Sequence, residues 1–166
     1  NGLPNELGKL AISVSRANSD KVYLLVESDS NKRLGGLFVS NNAGETWSRI
    51  SKYAELTSRS WYYIEVFADP NDENTVYVLS ARAFRSIDGG KTWERICSGH
   101  GDYHDLWINP NNSKNMIISD DGGGQITFDN GSSWSSIDIM PTAQFYRVNV
   151  DNMFPYNLYG GQQDNS

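Results

Sequence analysis

One eight-residue phrase occurs three times in near-copy along this chain: Ser40-Asn-Asn42-Ala-Gly44-Glu-Thr46-Trp47, Ser86-Ile-Asp88-Gly-Gly90-Lys-Thr92-Trp93 and Thr127-Phe-Asp129-Asn-Gly131-Ser-Ser133-Trp134. The three tryptophans lie 46 and 41 residues apart, and a period of that size demands stacked units that bury one another's faces. Within each phrase the residue types specify a tight turn. A short polar side chain (Asn42, Asp88, Asp129) is expected to fold back onto the backbone N–H groups two and three residues ahead. The glycine two positions later (Gly44, Gly90, Gly131) supplies the positive φ that closes the turn. The tryptophan then opens the outgoing strand and is placed to bury its ring between units, where one indole covers roughly 150–250 Å².

The flanking residues repeat too. Ile64-Glu-Val66-Phe-Ala-Asp69-Pro70 runs on to Thr75-Val76-Tyr77-Val78-Leu79, and Leu106-Trp-Ile108-Asn109-Pro110 to Asn115-Met116-Ile117-Ile118. Weaker copies start at Leu10-Ala-Ile12-Ser-Val14 and at Tyr146-Arg-Val148-Asn-Val150. Each unit therefore reads as an alternating strand, an Asx/Pro turn, a continuously apolar strand, a strand into the Trp phrase and a strand out of it. Four short strands per unit make one blade of a β-propeller. The expected class is all-β, a propeller segment of about three and a half four-stranded blades, at about residues 8–52, 60–98 and 103–138 with a partial blade at 144–166. Closed propellers need about 4–8 complete blades, so the expectation is part of a ring within a longer chain, its edge strands covered by the remaining blades or by another chain.

The phrases resemble the Asp-box or BNR repeat, Ser/Thr-x-Asp-x-Gly-x-Thr/Ser-Trp, of sialidases, sortilin-type receptors and xyloglucan-cleaving propeller hydrolases. The second and third copies match every defined position; the first has Asn42 where Asp is usual. A broader resemblance rests on Arg59-Ser-Trp61-Tyr62-Tyr63, His100-Gly-Asp102-Tyr-His104-Asp105-Leu106-Trp107, Pro141-Thr142-Ala-Gln144-Phe145-Tyr146 and Gly161-Gln162-Gln163-Asp164-Asn165-Ser166. These look like the late blades of large secreted bacterial proteins known as BNR-repeat glycosyl hydrolases or sortilin N-terminal-domain-like proteins. The resemblance implies an extracellular or periplasmic bacterial location, and it brings no catalytic residues to carry over.

A net charge of −6 with scattered Lys and Arg argues against nucleic acid and anionic membranes, both of which demand a basic face. No stretch of about 18 apolar residues is present to span a bilayer as a helix. Cys97 is the single cysteine and is read as a buried structural thiol rather than a nucleophile.

The propeller reading also selects a face. The loop that leads into a blade's first strand and the loop between its second and third strands open on one side, around the central channel; the Asp boxes, between third and fourth strands, lie on the other. In the third blade these loops are His100 to Asp105 and Ser119 to Gly124, which bring both histidines of the chain to one mouth with Asp102, Asp105, Asp120 and Asp121. The fourth blade contributes Gln144, Tyr146, Gln162, Gln163 and Asp164, and the second offers Arg59, Trp61, Tyr62 and Arg82. Aromatic platforms beside carboxylates and amides suit carbohydrate, because sugar C–H faces stack on rings while hydroxyls need donors and acceptors. The same inventory would hold a peptide. Each group also has a plainer reading: His100 and His104 tying the lead-in loop to a neighbouring blade, Asp120 and Asp121 capping a turn, Trp61, Tyr62 and Tyr63 packing between blades, and Trp107 in the core.

Three functions follow from this inventory. Binding of a polymer, glycan first and peptide second, on the lead-in face is the leading expectation. Hydrolysis of a glycosidic bond is the second, needing two carboxyl groups about 5–9.5 Å apart, with Asp102, Asp105, Asp120, Asp121 and Asp164 as candidates. A structural docking role for another protein is the third. The spacing His100-x-Asp102-x-His104 offers metal-ligand types without a recognised zinc signature, and the oxygen-rich Asp120-Asp121 turn is a place where calcium could sit; no cofactor is otherwise expected.

Overall fold

The protein is described by a computed structural model covering residues 1–28, 31–97, 99–137, 145 and 147–161. The first unit is an antiparallel meander of β1 (Leu10–Val14), β2 (Val22–Val26), β3 (Gly36–Ser40) and β4 (Ser48–Ser51). The second repeats it with β5 (Glu65–Ala68), β6 (Val76–Leu79), β7 (Ala83–Ser86) and β8 (Glu94–Arg95). The third contains β9 (Tyr103–Ile108), β10 (Met116–Asp120) and β11 (Gly123–Thr127), and a short hairpin of β12 (Asn149–Val150) and β13 (Leu158–Tyr159) follows. The fold is the all-β propeller architecture that the repeat requires, with each described unit a sheet in sequential strand order.

Among the described residues the third unit shows three strands. Where its fourth strand would run, the Ser135 backbone N–H donates to the Ile126 carbonyl at 2.9 Å, and the Ile126 N–H returns a bond to the Ser135 hydroxyl at 3.0 Å. The hydroxyl there takes the place of a backbone carbonyl. In the fourth unit the expected site residues Gln144, Tyr146, Gln162, Gln163 and Asp164 lie outside the described residues.

Apolar side chains fill the spaces between sheets. Tyr23, Leu25, Leu37 and Val39 of the first sheet meet Val66, Val76, Val78 and Phe84 of the second, with Leu56 from the connecting 3-10 turn sealing one end. Tyr77, Leu79 and Ala83 on the second sheet's other side meet Leu106, Met116 and Ile118 of the third. Cys97 lies in this second core, and burial pushes its thiol up to about 12, so it is a packing group at neutral pH. The first strands β1, β5 and β9 are innermost and border a channel of about 420 Å³ lined by Ile12, Val14, Phe67, Trp107 and Pro110.

Trp107 corrects the reading of a core tryptophan. It pairs with Ile117 in the same register as Phe67 with Tyr77 and Ser13 with Tyr23, on the side that faces the next unit. In the first two units a following sheet covers that side. On the third, among the described residues, none does, and Trp107 stays 52 % exposed.

The repeated phrase makes the hairpin turn that its residues predict, with one change in detail. Asp88 Oδ1 accepts from the backbone N–H groups of Lys91 and Thr92, both at 2.9 Å, and Oδ2 takes the Thr92 hydroxyl at 2.6 Å. Asp129 accepts in the same way from the Ser133 N–H at 2.8 Å and the Ser133 hydroxyl. The reach is therefore three and four residues ahead, one further than expected. The nearer N–H groups belong to another acceptor: the hydroxyls of Ser40, Ser86 and Thr127 accept from both the Asx residue and the glycine, Ser86 from Gly90 at 2.8 Å and Thr127 from Gly131 at 3.0 Å. These bonds hold Asp88 well below the usual carboxylate range and Asp129 at about 2, the Thr92 and Ser133 hydroxyls being the largest cause in each case.

The box tryptophans tie each unit to the one before it. Trp93 donates its indole N–H to the Ser51 hydroxyl at 3.2 Å, and Trp134 donates to the Ile96 carbonyl at 2.8 Å. Trp47, with no preceding sheet described, packs with Leu3 of the N-terminal segment against Leu24, Val26 and Phe38, and its backbone N–H donates to the Asn1 carbonyl at 2.9 Å.

Candidate functional site

Backbone bonds define the two rims. The three boxes each bond the first turn of their own unit, through Ala43 to Asp20, Gly89 to Asn74 and Asn130 to Lys114. On the opposite rim Gly8 bonds Glu27, Tyr103 bonds Ser80 and Asp121 bonds Gly101, so lead-in loops sit beside the loops that join second and third strands. His104 and Trp93 are thus at opposite ends of the sheets.

On the lead-in rim the segment after the 3-10 turn at Ala54–Thr57 carries Arg59, Trp61, Tyr62 and Tyr63. Trp61 and Tyr62 stack with ring centroids 5.8 Å apart and planes 29° off parallel, and they remain 72 % and 54 % exposed. Tyr62 continues edge-on to His104 at 6.0 Å, and Tyr63 lies 4.4 Å from the same imidazole. Tyr63 is anchored, its hydroxyl donating to the Ser80 carbonyl at 2.8 Å. The structure thus divides the three aromatics: Tyr63 packs, while Trp61 and Tyr62 form an exposed row that ends on a histidine. Packing between blades does not describe Trp61, because the ring it stacks on lies in its own segment and most of its surface stays exposed.

Charged partners brace this row. Arg59 forks onto Asp102, with Nε to Oδ1 at 2.6 Å and Nη2 on Oδ2, and its guanidinium lies 5.2 Å from the Trp61 ring centroid. Asp102 holds a left-handed φ of 55°, a conformation non-glycine residues keep where surrounding contacts fix it. His104 Nε2 meets Asp121 Oδ1 at 2.8 Å. Arg82 stands exposed in the turn between β6 and β7 on the same rim.

Of the five aspartates expected to supply a carboxylate pair, Asp164 lies outside the described residues and the other four have separate employments. Asp102 serves Arg59 and Asp121 serves His104. Asp105 is exposed and accepts the Leu106 N–H at 2.8 Å. Asp120 turns under the rim, where Oδ1 accepts from the Gly122 N–H at 2.8 Å, while Oδ2, the Tyr103 hydroxyl and Gln125 Oε1 are buried without a geometric hydrogen-bond partner among the described residues. Burial holds the Asp120 carboxyl above its usual range. All three orphaned oxygens face Gly99: a Cβ there would lie 2.7 Å from Gln125 Oε1, 2.8 Å from Asp120 Oδ2 and 3.2 Å from the Tyr103 hydroxyl. His100 sits over the Gly122 turn, its Cβ filling the space a side chain at Gly122 would need. Among the described residues no group of three or more His, Cys, Asp or Glu is arranged to hold a metal ion.

Two features of this rim were not drawn from the sequence. Glu65, at the start of β5, lies close enough to Asp105 that its carboxyl is raised, by lost hydration first and by the Asp105 charge second, with Lys9 opposing. The pairing crosses two units, so no local spacing announces it. The second feature is a cavity of about 580 Å³ between the first and second units, lined by Glu27, Arg33, Lys52, Tyr53, Ser60 and Trp61 among others. Apart from Trp61 its walls were not singled out, because the connection between β2 and β3 is far longer than its counterparts between β6 and β7 and between β10 and β11.

The BNR/Asp-box repeat family matches residues 84–95, the second box and its flanks. The chain is 30 % identical over 67 residues to a probable oligoxyloglucan-reducing end-specific xyloglucanase of Neosartorya fischeri, covering 39 % of this chain and 8 % of that protein. It is 26 % identical over 98 residues to the oligoxyloglucan-reducing end-specific xyloglucanase of Emericella nidulans, covering 55 % and 11 %. The chain thus spans about a tenth of the length of the curated relatives it matches. Among solved structures, the GH74 xyloglucanase of Xanthomonas campestris superposes with a TM-score of 0.58 at 16 % identity, over 84 % of this chain and 24 % of that one. A GH74 enzyme of Niastella koreensis gives 0.57 at 18 %, over 86 % and 20 %. At these identities the likeness is one of fold, a β-propeller, and one of its units carries the matched BNR/Asp-box repeat.

Proposed function

We propose that the lead-in rim binds a glycan chain laid along the row Trp61, Tyr62 and His104. The observation that carries this reading is the stacked and solvent-exposed ring pair, since apolar ring faces left in water favour a partner that covers them. Sugar C–H faces would take up the ring surfaces, and Arg59, Asp102, His104 and Asp121 would meet hydroxyls at the margin. The xyloglucanase names of the curated relatives make xyloglucan oligosaccharides the first probe, and an extracellular setting accords with such a ligand. Peptide is the second ligand class on the same surface.

Hydrolysis of the bound glycan is a second reading, favoured by the raised Glu65 carboxyl beside Asp105. General-acid cleavage requires a carboxyl group whose hold on its proton is strengthened, beside a second carboxyl group. Titration calorimetry with xyloglucan oligosaccharides on the full chain and on Trp61→Ala tests binding; unchanged affinity in the variant would remove the aromatic row as the site. Product analysis with Glu65→Gln and Asp105→Asn tests cleavage, and turnover that survives both substitutions would exclude that pair.

A further inference from the structure

We infer that the cavity between the first and second units is a subsite for an acidic sugar, so that the glycan taken by this rim carries carboxylate groups. The inference rests on the glycan reading above and adds to it the charge of the ligand.

The cavity is preformed. Its outer lip includes Arg33 and Gly35, which Arg49 braces from β4 by donating Nη1 to the Arg33 carbonyl at 2.7 Å and the Gly35 carbonyl at 3.4 Å. Gly36, at the loop's end, holds a φ of 131° with backbone so near the Ser51 carbonyl that a Cβ would fall 2.2 Å from that oxygen. Only glycine allows this approach, and it fixes the distance between the loop and Lys52. At about 580 Å³ the volume is within the roughly 300–1,000 Å³ of small-molecule sites.

Most polar groups of the wall are already committed. Glu27 Oε1 accepts from the Ser60 hydroxyl at 2.7 Å and Oε2 from the Lys9 N–H at 3.3 Å. The Ser58 hydroxyl pairs with that of Ser80 at 3.1 Å, and Thr57 bonds the Ala54 carbonyl at 3.4 Å. The Arg33 guanidinium and the Lys52 ammonium differ, for neither forms an ion pair among the described residues. Among the described residues the lining carries two cations outside any ion pair against one hydrogen-bonded carboxylate, a positive balance on a chain whose net charge is −6. A ligand carboxylate would find two charged donors there. Tyr53 and Trp61, 41 % and 72 % exposed, are the cavity's aromatic walls for a pyranose face. Because Trp61 also begins the ring row, a chain seated in the cavity continues directly onto Tyr62 and His104.

The test compares trigalacturonate, its methyl ester and a neutral xyloglucan heptasaccharide by titration calorimetry on the full chain at low salt. Trigalacturonate should bind at least about tenfold tighter than its ester, with the advantage shrinking in salt as exposed charges are screened. Arg33→Ala/Lys52→Ala should remove that preference without altering the far-ultraviolet dichroism, Arg33→Lys/Lys52→Arg should keep it, and Trp61→Ala should weaken all three sugars. Equal affinity for acid and ester overturns the subsite while leaving glycan binding in place. Failure of all three sugars overturns both readings. An acidic peptide of the same charge that binds as tightly as trigalacturonate overturns the assignment to sugar.

Discussion

On the Asp-box rim the polar side chains of the repeat are spent inside the protein, whereas the lead-in rim leaves its largest rings in water. Asp88 takes two backbone N–H groups and two hydroxyls, and the tyrosines of the second strands latch onto the next unit: Tyr23 on the Glu73 carbonyl at 2.5 Å, Tyr77 on Asn130 at 2.9 Å. Across the sheets, Trp61 and Tyr62 stack mainly on each other, Arg82 is exposed, and Arg33 and Lys52 have no ion-pair partner among the described residues. Groups closed on each other hold units together. Groups left open, but held in place by bonded neighbours, are available to a ligand, and under the glycan-binding proposal that division gives recognition to the lead-in rim.

The sharpest way to break the comparison is at Gly90. Its φ is 93°, and a Cβ would lie 2.4 Å from Leu37 Cδ2 across the boundary between units. Gly90→Ala should cost about 2–4 kcal/mol, from backbone strain and core overpacking together, read as a fall in the urea midpoint. Gly44 has the same φ of 93° but meets only the Trp47 ring, at 3.6 Å, so Gly44→Ala should cost about 1–2 kcal/mol, the strain alone. Equal costs would mean the second box does not couple units through its glycine.

On the other rim the effects should separate in the opposite way. Trp61→Ala should change stability by less than about 0.5 kcal/mol, as exposed positions do, while lowering glycan affinity about tenfold or more, or roughly 1.4 kcal/mol. A stability loss as large as that of Gly90→Ala would show that the ring is structural and that the rims do not divide as described.

pH tests the comparison through opposite signs. Asp129 is depressed to about 2 in the folded chain, so its contribution is complete above the unfolded carboxyl's value of about 3.9 and is lost as pH falls from there through its folded value. Asp88, depressed by the same kind of bonds, loses its contribution over the same acid limb. Asp120 runs the other way: its folded carboxyl is raised by burial, so stability falls as pH rises from the ordinary carboxylate range through its folded value. Asp129→Ala should flatten the acid limb of a stability profile between about pH 4 and 2. Asp120→Asn should remove the decline on the other side and leave the acid limb alone. Matching changes from both variants would contradict the assigned directions.

How much of this was legible in the sequence follows the same division. The box turns could be read because their chemistry is local: hydroxyl, Asx, glycine and tryptophan all lie within eight residues, and only the reach of Asp88 was one residue short, since Ser86 takes the nearer N–H groups. The site was legible where it used the repeat's own loops, as with His104 and Asp121. It was not legible where segments outside the repeat meet across units: the Arg33 and Lys52 walls, the approach of Glu65 to Asp105, the Arg59 fork on Asp102. Trp107 misled because its spacing is that of a core strand and what decides its burial is the neighbouring sheet, not its own.

The smallest expected effect lies in the one box that departs from the pattern. Asn42 copies half of the Asp88 arrangement: its Oδ1 accepts the Thr46 N–H at 3.0 Å, but toward the Thr46 hydroxyl its amide is the donor, at 2.9 Å, where Asp88 accepts from Thr92. Asn42→Asp reverses that one bond and adds a charge that the surrounding N–H and O–H donors favour. The variant should be slightly more stable at neutral pH. The gain should disappear as pH falls below about 4, because a carboxyl held low by donors gives its stabilisation only while ionised. If instead the gain persisted in acid, the reversed hydroxyl would not be its source, and the three boxes would owe their hold on the sheets to serine, glycine and tryptophan rather than to the Asx side chain.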